Sequence, residues 1–181
     1  MSYQNEHISQ YFELEKKQPE LDFVDVYINT DMPLFVDPYF ISRENNEWCK
    51  NATEEIRNFF QKIIENINRN PNLCKKMLSN LKETNETRLG LSKGRPNGRG
   101  IGGKQANYLF EKLSNSKAVQ TGFIQDISEC ELMVDGISFD KISDMTINII
   151  RKYLIKYTQI QCENLRNRII WTTKWTYMEC R

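Results

Sequence analysis

The clearest periodicity lies between Asn51 and about Asn68, where Ala52, Ile56, Phe59, Phe60, Ile63, Ile64 and Ile67 recur at helical spacing. That rhythm gathers the apolar side chains on one side of an α-helix, and Asn51 followed three residues later by Glu54 offers a capping pair. Asn70–Pro71 starts a second helix, with Asn as cap, Pro in the first turn and Leu73, Met77, Leu78 and Leu81 as its stripe. These two helices are expected to lie antiparallel. Ala106, Leu109, Phe110 and Leu113 predict a short helix beginning near Gln105. Met145, Ile149, Ile150, Tyr153, Leu154, Tyr157 and Ile160 predict a long one that starts near Ser143 or Asp144, either of which can cap it.

Other stretches carry a two-residue rhythm. LDFVDVYI, residues 21–28, is rich in β-forming residues with apolar side chains on both faces. PLFVDPYFI is a second extended piece, and Pro38 restricts it to an edge strand or an irregular segment. TGFIQDI and CELMVD, separated by Ser128 and Glu129, read as a hairpin, and Asp135–Gly136 supplies the next turn. The order of elements implies an α+β fold, a small antiparallel or mixed sheet packed with amphipathic helices.

A length of 181 residues suits one domain, residues 1–181, with a core large enough to stand without staples. The five cysteines are widely spaced with no C-x-x-C pair, and His7 is the only histidine, so a zinc site lacks ligands and reduced thiols are expected. No signal-peptide core or membrane-length apolar run occurs, which suits a cytoplasmic protein without membrane contact. The net charge of +1 hides strong blocks: residues 1–87 sum to −5, 88–104 to +5, 105–150 to −4 and 151–181 to +5.

The basic block 88–104, RLGLSKGRPNGRGIGGK, combines six glycines with five cations and no acid. Such a glycine-rich loop brings backbone N–H groups and cations close to an anion, and a helix starting just behind it adds its positive end. Lys93, Arg95, Gly98, Arg99, Gly100, Gly102, Gly103 and Lys104 are therefore candidate phosphate-binding residues, with nucleic acid the expected partner. Gly98 to Lys104 also fits the G-x-x-x-x-G-K part of a P-loop, but Gln105 stands where Ser or Thr should meet the magnesium ion. A solvated loop that touches no phosphate is the competing account.

A second constellation is acidic: Asp126, Glu129, Glu131, Asp135, Asp140 and Asp144. Asp126, Asp135 and Asp140 are candidate ligands for Mg²⁺, with Asp140 and Asp144 as candidate catalytic residues of a metal-dependent nuclease. Against this, Asp135 serves a turn and Asp144 or Ser143 a helix cap. Asp144 and Asn148 share a helical face, and some of Ser143, Asp144, Thr146 and Asn148 could face inward. The rival from another class is a non-catalytic interaction protein whose helix 51–68 and face 145–160 dock a protein partner or a second copy.

FVDVYINTDMPLFVDP, ETRLGLSKGRPNGRGIGGKQA and DKISDMTINIIRKYLIKYTQIQC resemble a family of uncharacterised bacterial proteins found near restriction and phage-defence genes. The resemblance implies work on nucleic acid. It also implies longer relatives, of which this chain would be an N-terminal part or a truncated product. The PD-(D/E)xK nucleases are a more distant likeness, because no Glu-x-Lys or Asp-x-Lys follows the acids at 126–140. The tail NLRNRIIWTTKWTYMECR alternates aromatic and basic residues, which suits either base stacking or packing on the core.

Overall fold

Asn46, not Asn51, caps the longest helix. In the computed structural model, which describes residues 6–81, 87–90, 103–121 and 137–165, the Asn46 side chain accepts from the Cys49 N–H at 2.8 Å. Helix α3, Glu47–Asn66, therefore begins before the expected cap, and α1, Ile8–Tyr11, and α2, Pro38–Arg43, precede it. Cys49, Ala52, Ile56, Phe60 and Ile63 form its buried stripe. Asn70 caps α4, Pro71–Ser79, through the Leu73 N–H, with Pro71 in the first turn as expected.

Helix α5, Gly103–Asn115, lies along α4, and the short α6, Lys117–Gln120, follows after the Ser116 cap. Helix α7, Phe139–Ile149, crosses against α2 and α3 and buries Ile142, Ser143, Met145, Thr146 and Ile147. Helix α8, Arg151–Asn164, continues it after a break at Ile150, where ψ is 11°. The core is assembled from α3, α4, α5 and α7, with Ala52, Ile56, Ile63, Cys74, Leu109 and Ile150 among its most enclosed residues. Burial of this kind is worth roughly 25 cal/mol per Å² of apolar surface, so these stripes supply most of the driving force. Helix α8 packs Tyr153 and Leu154 against the core and adds polar contacts: Trp48 Nε1 donates to the Tyr153 carbonyl at 3.3 Å, and Lys152 pairs with Glu55 at 2.7 Å.

The expected α+β architecture is not found. Among the described residues there is no strand and no sheet; two isolated bridges occur, His7 with Tyr27 antiparallel and Met32 with Leu89 parallel. The run 21–28 contributes only the Tyr27 bridge, and Val24 is 45% exposed. Apolar residues on both faces would need cover on both sides, and no neighbouring strand extends the pairing. In the second extended piece, Asp37 and Pro38 open α2, with the Asp37 carboxylate accepting from the Tyr39 N–H. Ser143 and Asp144 are not caps either, because α7 starts after Ser138 and runs straight through them. The hairpin at 121–135 lies outside the described residues beyond Thr121.

Among the described residues no helix is long and apolar enough to cross a membrane. Cys49, Cys74 and Cys162 are free thiols, and burial pushes the thiol pKa of Cys74 and Cys162 up.

Candidate functional site

The start of α5 converts part of the basic block into defined geometry. Ala106, Leu109 and Leu113 turn inward onto the core, so the opposite side of α5 is directed to solvent. Lys104, Tyr108 and Lys112 follow one another at four-residue intervals along that outer side, one turn apart. Lys104 is exposed, Tyr108 is 37% exposed and Lys112 is half-buried. The stripe was readable from the sequence as the polar complement of Ala106, Leu109 and Leu113.

A third cation arrives from α7. Lys141 Nζ stands 4.9 Å from the centre of the Tyr108 ring, and Lys112 Nζ stands 5.6 Å from the same centre. The negative face of the aromatic ring attracts both ammonium groups without cancelling their formal charge. On the other flank of α5, Lys75 from α4 lies 4.9 Å over Phe110. Glu111 is the only acid within α5. The result is a basic and aromatic surface in which an anion would meet Lys104, Lys112 and Lys141 around one tyrosine. Lys141 could not be assigned from spacing, since it joins this surface only through the placement of α7.

Of the expected phosphate-binding residues, Gly103 and Lys104 form the first turn of α5. Lys93, Arg95, Gly98, Arg99, Gly100 and Gly102 lie outside the described residues. The block's first residues are anchored elsewhere: the Met32 N–H donates to the Arg88 carbonyl, and the Gly90 N–H donates to the Met32 carbonyl, both at 2.8 Å. Gly90 has φ +143°, a region glycine enters without a side-chain clash.

Of the expected acids, Asp126 and Asp135 lie outside the described residues. Asp140 sits in the first turn of α7 and Asp144 one turn later, half-exposed on the same strip as Lys141 and Asn148. Ser143 and Thr146 do face inward: the Ser143 hydroxyl oxygen accepts from the Val36 N–H at 2.8 Å, and Thr146 is fully enclosed with no partner for its hydroxyl. Among the described residues, no three His, Cys, Asp or Glu side chains are grouped to hold a metal ion. A separate groove of about 380 Å³ runs between the end of α2 and the outer face of α3, where Glu44 and Glu54 alternate with Lys50 and Arg57. Its signs balance, so it selects for no charged partner.

Of the two faces expected to dock a partner, 51–68 packs Ala52, Ile56, Phe60 and Ile63 into the chain's own core, whereas 145–160 places Met145 and Ile150 there and leaves Ile160 43% exposed. No curated protein and no solved structure matches the chain. The profile of one family extends from residue 13 to residue 179 and so takes in every helix from α2 to α8; the chain belongs to DUF8370, a domain of unknown function.

Proposed function

We propose that this domain binds nucleic acid through its phosphates, using the outer side of α5 together with the Gly/Arg block that leads into it. The observation that carries this reading is the arrangement around Tyr108: Lys104 and Lys112 on the same side of α5, with Lys112 and Lys141 Nζ within 5.6 Å of one ring centre. Lysines on a helix face contact backbone without reading bases, so affinity should depend on salt more than on sequence. The half-exposed acids Asp140 and Asp144 beside Lys141 support a metal-dependent nuclease as the enzymatic form, with Mg²⁺ supplied from solution. A cytoplasmic role in bacterial defence against phage rests on the sequence resemblance.

The rival, a non-catalytic interaction subunit, draws support from exposed apolar residues near α2: Tyr39 at 54%, Phe40 at 69%, and Leu34 and Phe35 at 40% each. One titration separates the two. Affinity for DNA and RNA should fall linearly with salt on logarithmic axes, and Lys104→Ala with Lys112→Ala should flatten that slope by about 1 to 2. An unchanged slope and affinity would leave the interaction subunit standing. Incubation with Mg²⁺ and the Asp140→Ala and Asp144→Ala variants decides whether bound strands are also cut.

A further inference from the structure

We infer that the strand bound at α5 is single, with an unpaired base stacking on Tyr108; this rests on the nucleic-acid reading above and narrows it to a substrate class. A surface meant only for duplex phosphates needs cations and gains nothing from an exposed aromatic ring. Here the ring stands at the middle of the surface, 37% exposed, with cations on its own helix one turn before and one turn after it. One helical turn rises about 5.4 Å, so cation, ring and cation follow each other at closely similar steps along α5. That alternation suits a strand that presents a phosphate, an unpaired base and a phosphate in turn. In a duplex the bases stack on one another and offer no free face, whereas an unpaired base can lie on a tyrosine.

The two lysines over the ring couple the two contacts. Lys112 and Lys141 come from different helices and reach Tyr108 on flexible four-carbon stems. The Lys112 ammonium lies 5.6 Å from the ring centre in the free protein, and a phosphate oxygen is a stronger partner for it than the ring. Arrival of a phosphate draws a lysine outward, which uncovers the ring for the base that follows. Phosphate contact and stacking therefore reinforce one another on a single strand. On a duplex only the phosphate half of the exchange is available.

The test uses the full chain with labelled oligothymidylate, oligouridylate and a mixed-sequence duplex of equal length, followed by fluorescence anisotropy. Both single strands should bind at least about tenfold more tightly than the duplex, and Tyr108→Ala should lower single-strand affinity by about tenfold, more than it lowers duplex affinity, so that the preference for single strands shrinks. Tyr108→Trp should restore single-strand binding, which separates stacking from any loss of fold. Equal affinity for single strands and duplex, or a folded Tyr108→Ala protein that binds single strands normally, overturns the inference while the nucleic-acid reading survives. If no oligonucleotide binds at low salt, both fall. A difference between oligothymidylate and oligouridylate assigns the strand to DNA or RNA.

Discussion

Helices α3, α4, α5 and α7 and the segment from residue 6 to residue 37 hold their shapes by different means. In the helices, backbone groups bond within each helix, and Ile56, Ile63, Leu78, Leu109 and Ile150 interlock with 2% exposure or less. Along 6–37 the only buried residue is Ser9. Its backbone N–H and its hydroxyl both donate to the Asp25 carboxylate, at 2.9 and 2.6 Å. Gln18 accepts from the Asp25 N–H at 2.7 Å and donates to the Phe23 carbonyl at 2.8 Å. Val36 and Asp22 are tied to Ser143 of α7 and Tyr157 of α8. Outside its short helical turns this backbone finds partners partly in other backbone, as where the Ile8 N–H donates to the Val26 carbonyl and the Ile28 N–H to the Glu6 carbonyl, and partly in particular polar side chains. The helical layer is thus sensitive to lost volume, the segment to lost hydrogen bonds.

The largest effect should come from the layer. Ile63→Ala removes a fully enclosed side chain from the middle of α3 and should cost about 3 kcal/mol, read as a lower midpoint in urea for the whole domain. A loss below about 1 kcal/mol would mean that the layer repacks and is no jigsaw. Asp25→Ala comes next. It leaves two donors of Ser9 without their acceptor, at a cost of about 2 kcal/mol, and the cost should be local. Hydrogen exchange should quicken at Ile8, Ser9 and Ile28 while the amides of α3 keep their protection. Uniform loss of protection would show that segment and layer unfold as one unit.

This contrast also explains which parts were legible in the sequence. The start of α4 was, because Asn70–Pro71 is a local signal that needs no knowledge of the rest of the chain. The start of α3 was misplaced because Trp48 and Cys49 extend the apolar stripe by one turn ahead of Ala52, behind the cap at Asn46. The start of α7 was misplaced for the opposite reason. Ser143 and Asp144 resemble a cap, yet Ser143 is mid-helix, turned inward to meet Val36 across 107 residues. The break at Ile150 leaves the apolar periodicity intact and so gives no sign in the pattern. Strands were expected in 21–28 and 33–41 because extended backbone and β-rich composition look alike whether the partner is another strand or scattered side chains. At the candidate site, Lys104 and its four-residue echoes Tyr108 and Lys112 follow from the sequence, whereas Lys141 depends on a contact between helices.

The smallest effect sharpens the comparison at the point where segment and helix meet. The Tyr157 hydroxyl donates to the Asp22 carbonyl at 2.6 Å, and Trp48 lies edge-on to the same ring at 6.4 Å. Burial pushes the Tyr157 pKa above the ordinary value of 10.0, with the nearby Asp22 charge adding to the rise. Tyr157→Phe should cost about 1 kcal/mol near neutral pH by removing one hydrogen bond, again as faster exchange along the segment. The alkaline behaviour carries the sign. As pH rises past 10.0, the unfolded chain loses this proton while the folded chain still holds it, so the folded state binds more protons and stability falls with pH. Below that value the contribution is complete, and above the raised folded pKa the decline levels off. Tyr157→Phe should remove that part of the alkaline decline, so the gap between wild type and variant narrows as pH increases beyond 10.0. A gap that stays constant through this window would mean that the phenol titrates alike in both states and that the segment is held at Asp22 by something other than this hydrogen bond.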